Sequence, residues 1–152
     1  MLHEFMLSKW NPDFSPPEVV VGVAGIYDLR LLRNKNSHPA YQEFLVAAFG
    51  DDEPMWDVAS PARQPFPPWK VGKLIVLVTS SGDELVDPTQ IDAMARTLEM
   101  YDYNNKDIKV EVWKGWVDMT HDEIWKGGVG LGEIIGRTLR EFFGDAETDI
   151  AR

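Results

Sequence analysis

The sequence predicts an α/β fold built on a parallel sheet of about three strands with flanking helices, and three observations carry that reading. Two short apolar runs, VVVGVAGI at residues 19–26 and LIVLV at 74–78, lack the alternation of a half-exposed strand. Runs of that kind fit strands buried on both faces, as parallel sheets require. The second run breaks into a turn and a helix start, and an alternating segment, IKVEVW at 108–113, leads to an amphipathic C-terminal stretch. Strand, excursion, strand, helix, strand, helix is a βαβα order, which implies right-handed crossovers between parallel strands.

In chain order, residues 1–18 read as an N-terminal helix and connector. MLHEFMLSKW has a weak helical pattern, and NPDFSPPE is too rich in proline to propagate helix or central strand. The domain proper spans residues 19–144, and 145–152 read as a frayed tail. After the strand at 19–26, whose glycines permit close packing, Asp28 fits a helix N-cap or turn residue. Residues 30–72 form a long excursion. It holds a helix at 39–49, a short turn or helix at 55–62 ending at Ser60-Pro61, and a proline-rich link, QPFPPWK. Tyr41, Phe44, Phe49, Trp56, Phe66 and Trp69 either line a pocket or, the better reading, tie this irregular segment to the core.

Past the second strand, Asp87, Pro88 and Gln90 match an N-cap, N1 and capping-box arrangement. Ile91, Met94, Ala95 and Leu98 make the apolar stripe of the next helix. Residues 104–106 form a turn, and residues 108–113 an edge or near-edge strand. Residues 115–120 read as a loop. The last helix, 129–143, carries glycines 130, 132 and 136, so packing must hold it.

Composition narrows the function. A chain of 152 residues suits one domain. A formal net charge of −10 argues against nucleic acid or an anionic membrane as partner. No run has the length of a membrane span, and the N-terminus lacks the basic-then-apolar layout of a secretory signal. Without cysteine there is neither a disulfide framework nor thiolate chemistry, which fits a cytoplasmic protein. No cofactor motif is present. His121, Asp122 and Glu123 are too close together in sequence to converge on one metal ion, so no metal site is expected. His3 and His38 read as surface residues. Trp113, Trp116 and Trp125, near His121 in sequence, read as core or rim packing.

Two residues carry chemistry. Asp83 comes just after the buried strand at its carboxyl end, where open α/β sheets gather their functional groups. His121 comes after the next strand, 38 positions later. One helix and one strand separate them, so their loops should lie side by side. A carboxylate there accepts one imidazole N–H, fixes the tautomer and leaves the other nitrogen as general base.

That ordering, with GVAGIYDLRLL at 22–32, FGDDEPMWDVASPA at 49–62, SSGDELVDPTQ at 80–90 and THDEIWKGG at 120–128, resembles the C-terminal half of an α/β-hydrolase. More narrowly it resembles the kynurenine formamidase (arylformamidase) and related esterase group. The resemblance implies a partial α/β-hydrolase fold made of the last strands of the sheet, with Asp83 as triad acid and His121 as triad base. It implies a small acyl or formamide substrate, typically N-formylkynurenine cleaved to kynurenine and formate in tryptophan catabolism.

The nucleophile is missing from the pattern. In this fold it is the serine of G-x-S-x-G, upstream of the acid, and the sequence contains no such motif and no His-Gly-Gly-type oxyanion segment. Ser8 lacks the flanking glycines of a nucleophile elbow. Ser80 and Ser81 read as turn residues. The expectation is a hydrolase without its nucleophile half, inactive alone. The competing expectation is a non-catalytic module that self-associates through an exposed sheet edge, since the strand at 19–26 would have lost its outer neighbours. A phosphate-binding receiver-type domain is disfavoured, because no glycine-rich phosphate loop comes after a strand.

Overall fold

The computed structural model describes residues 17–35, 39–64, 73–102 and 108–144. Within them β1 (Val19–Val23), β2 (Leu74–Ser80) and β3 (Lys109–Val117) form a parallel sheet in the order β1-β2-β3. Val19 pairs with Leu74 and Leu74 with Lys109 at the start of the ladders. All seven residues of β2 are buried, as its continuous apolar run requires of a strand between two others and between two layers.

The period-2 geometry of β2 divides the core. Leu74, Val76 and Val78 face Ile124 and Ile134, which come from α5 (His121–Lys126) and α6 (Val129–Phe143). Ile75 and Leu77 face Ile91, Met94, Ala95 and Leu98 of α4 (Thr89–Asp102), the stripe expected from its spacing. Beside the sheet, α1 (Leu29–Lys35), α2 (Pro39–Phe49) and α3 (Glu53–Ala59) close on their own cluster of Leu29, Leu32, Leu45 and Trp56. Among the described residues no helix is long and apolar enough to cross a membrane.

Several elements differ from the sequence reading. β1 stops at Val23, not residue 26, because Ala24 has a left-handed φ of 47° that ends the extended run. The chain then turns onto Tyr27, whose ring fills the space a Cβ on Gly22 or Gly25 would need, 2.3 Å and 2.5 Å from its nearest atoms. The excursion opens with α1, which the sequence announced only through Asp28 as an N-cap candidate. Asp28 caps that helix, its Oδ1 accepting the Leu31 N–H at 2.9 Å. The segment expected at 55–62 is α3 and then a 3-10 turn, Pro61–Arg63.

Gln90 does not complete a capping box at α4. Asp87 does accept the Thr89 N–H at 2.8 Å. The buried Gln90 side chain instead reaches the loop after β1, accepting the N–H groups of Tyr27 and Asp28 and donating to the Asp28 carbonyl. Buried backbone groups without partners cost more than a cap gains, so the loop takes the amide. β3 runs on to Val117 where a loop was expected from residue 115. It does so through a register irregularity opposite residues 78–80 and a positive φ of 58° at Gly115. Residues 65–70 of the proline-rich link, the turn at 104–106 and the two terminal segments at 1–16 and 145–152 lie outside the described residues.

Candidate active site

The site is built where β2 and β3 end. Asp83 sits three residues past β2, and its side chain is 3% exposed. Its Oδ1 accepts the backbone N–H groups of Leu85 at 2.9 Å and Val86 at 3.0 Å. With one oxygen held by the backbone, the carboxylate plane is fixed. The other oxygen, Oδ2, lies 3.0 Å from His121 Nδ1.

His121 is the first residue of α5 and not a loop residue. Thr120 and Glu123 form a full capping box around it, so the start of the helix is set by its own sequence. The His121 N–H donates to Glu84 Oε2 at 3.1 Å, a second tie between the two loops. The imidazole side chain is 24% exposed. In a neutral ring whose Nδ1–H is donated to Asp83, Nε2 is the unprotonated nitrogen, and no partner holds it among the described residues. That is an arrangement able to accept a proton.

Ser80 clasps the two loops together. Its buried hydroxyl accepts the N–H of Met119 at 2.9 Å and of Gly82 at 3.2 Å, and lies 2.9 Å from the Val117 carbonyl. Ser81 donates to Asp118 Oδ1 at 2.7 Å. Gly82 passes so close to Met119 that a Cβ would lie 3.0 Å from its backbone, which explains the glycine ahead of the acid. These contacts hold Asp83 against His121 across 38 residues of sequence.

The remaining charges around α5 are locally paired. Glu123 is held below the usual carboxylate range by the N–H and hydroxyl of Thr120. Asp122 is held low by Lys126 one turn away. Among the described residues no three His, Asp or Glu side chains converge in a metal-binding arrangement. Ser81 is a turn residue as expected, whereas Ser80 is the last residue of β2; both hydroxyls are engaged, and Ser8, His3 and His38 fall outside the described residues. Trp113 and Trp116 stack at 5.7 Å, with Arg137 of α6 lying 4.7 Å and 4.0 Å over their rings, while Trp125 is exposed. Of the aromatics in the excursion, Trp56 is buried and donates to the Gly50 carbonyl, whereas Phe44 and Phe49 are exposed. Tyr41 reaches the acid loop, its hydroxyl donating to the Leu85 carbonyl at 3.2 Å. Phe66 and Trp69 lie outside the described residues.

Comparison with curated proteins gives two relatives. A kynurenine formamidase-like hydrolase from Fusarium equiseti is 39% identical over 127 residues, a match taking in 81% of this chain and 41% of that protein. A kynurenine formamidase from Aspergillus versicolor is 30% identical over 141 residues, covering 79% of this chain and 48% of that protein. The chain is similar to kynurenine formamidase-like hydrolases. It spans somewhat less than half the length of the relatives it matches. No protein-family model matches it, and no solved structure does.

The sequence reading missed Ser80, Glu84 and Tyr41 as supports of the pair. Ser80 ends a strand, Glu84 lies in a loop and Tyr41 is on a helix, places where each residue type is ordinary, so only proximity reveals them. The signal that was available was Ser80-Ser81-Gly82 between a buried strand and an acid. A glycine that must approach another backbone implies a second loop packed against it.

Proposed function

We propose that Asp83 and His121 are the acid and base of a serine-hydrolase triad, in a chain corresponding to the C-terminal part of a kynurenine formamidase-like hydrolase. The observation that carries this reading is the 3.0 Å contact between His121 Nδ1 and Asp83 Oδ2, on a carboxylate whose other oxygen two backbone N–H groups already hold. Names and identities of the two relatives support it. Asp83 orients the ring and stabilises the imidazolium. Nε2 of His121 takes the proton of an attacking hydroxyl and returns it to the departing amine or alcohol. The substrate class is an aryl formamide or ester, with N-formylkynurenine giving kynurenine and formate.

The nucleophile belongs to the part of the relatives that this chain does not match. Ser60, Ser80 and Ser81 are engaged in local hydrogen bonds, and G-x-S-x-G is absent. Without a G-x-S-x-G serine or a His-Gly-Gly-type oxyanion segment the chain alone should turn over substrate no faster than background. The test has two arms. The pure 152-residue chain is assayed for formamidase and esterase activity, expected at background. It is then joined to the non-matching part of the Fusarium relative. The hybrid should be active and lose on the order of 10³–10⁴-fold in rate on His121→Ala or Asp83→Asn. An active hybrid indifferent to both substitutions would sink the assignment.

A second reading is a non-catalytic interaction module. It is favoured by β1, whose outer edge has no partner strand among the described residues and whose Val19, Val20 and Val21 are only half-buried. Apolar open edges recruit other strands. Association of the isolated chain together with an inactive hybrid would favour this reading.

A further inference from the structure

Helix α6 is apolar on two sides. Its inner side, with Ile134 and Thr138 fully buried, packs on the sheet. Its outer side carries Val129, Ile135, Leu139 and Phe143 at 62%, 43%, 45% and 69% exposure, with Gly132 and Gly136 between them. At 100° per residue these six positions fall on one stripe, and Glu133 and Arg140 lie together along one of its flanks. A stripe of this size without a cover marks an interaction surface.

We propose that α6 pairs antiparallel with α6 of a second copy of this chain, about a two-fold axis near Gly136. The sequence is self-complementary in that register. Ile135 meets the partner's Leu139, Val129 meets the partner's Phe143, and the glycines at the crossing let the two backbones approach. Glu133 of each copy faces Arg140 of the other, and neither residue forms an ion pair among the described residues. A parallel two-fold arrangement would bring opposite flanks together and leave Glu133 and Arg140 without each other. A groove of about 570 Å³, lined by Trp116 and Val129 and by the charged Glu133, Arg137 and Arg140, runs along this flank, where the charges of the second copy would enter. The contact also suits the overall charge. Two chains of −10 repel generally, so association needs a patch where charges cancel, and Glu133 with Arg140 makes one. A helix of 15 residues is about 22 Å long, so the interface is small and the dimer should be of micromolar strength. This pairing does not depend on the hydrolase reading.

Sedimentation equilibrium of the full chain, with circular dichroism as the check on folding, tests it. The expected result is a reversible monomer–dimer equilibrium. Glu133→Arg alone and Arg140→Glu alone should each weaken it by about tenfold or more through like-charge contacts, and the double swap should restore it. Leu139→Gln, at an exposed position, should weaken it without altering the fold. A chain that stays monomeric at high concentration overturns the proposal and assigns the stripe to a different polypeptide. A dimer unmoved by the single charge swaps overturns it as well.

Discussion

Ser80 is the residue on which the Asp83–His121 contact leans most heavily. Its hydroxyl is buried and serves the N–H groups of both loops. Ser80→Ala leaves the Met119 and Gly82 donors unsatisfied beneath the site. The expected loss is about 1–3 kcal/mol in urea unfolding, more than a surface serine would cost. Asp83 and His121 were legible in the sequence because each lies just beyond a strand. Ser80 was not, since a serine where a strand gives way to a turn is ordinary whatever it touches. Titration offers a second prediction at this scale. Glu123, held low by Thr120, contributes stability that is present above its unfolded pKa and lost as pH falls through its folded value. The loss falls below the usual carboxylate range, at roughly pH 4 and under. Melting temperature measured against pH should show a shallower acid decline in Glu123→Gln than in the parent.

At the scale of elements, pattern and packing contribute unequally. α6 was readable from its spacing despite three glycines inside it, because Ile134 anchors it with no exposed surface. Ile134→Ala should cost about 2–5 kcal/mol by chemical denaturation, since the sheet beneath cannot adapt fully to the smaller side chain. α1 was readable only at its start, where Asp28 fits an N-cap. It is seven residues long, below the length at which a helix stands alone in water, and is held by its surroundings. Asp28 caps it, Ser60 accepts the Leu29 N–H at 2.9 Å, and Arg30 is bound at 2.6 Å by Glu53 and by Asp57. The α5 cap is the opposite case, written locally as Thr120 and Glu123. Thr120→Ala should therefore cost about 0.5–2 kcal/mol and loosen the segment that begins with His121, which thermal unfolding and the histidine ring resonances would report.

For the whole molecule, the asymmetry of the sheet sets the dynamics. β2 has a strand on each side and a helix layer on each face, whereas among the described residues β1 has a partner strand along one edge. Amide hydrogen exchange should therefore be slowest in β2, near the global unfolding limit, and faster in β1. Uniform protection across the three strands would show that β1 is covered in solution by something else, a second chain included.

The sequence by itself determined the parallel sheet, the burial of β2, the extent of α2 and α6, and the placing of Asp83 and His121 beyond the ends of adjacent strands. These are written in local periodicity and in the residues just past the end of each strand, and such signals need no knowledge of the rest of the chain. Tertiary structure decided the 3.0 Å closure of Asp83 on His121, the clasp through Ser80, the diversion of Gln90 from its own helix to the loop after β1, and the extension of β3 past Gly115. Each of those joins positions 36 to 63 residues apart. The physical reason is that a polar side chain goes where a buried donor or acceptor would otherwise be unsatisfied. Where that need arises is known only once the strands are in register.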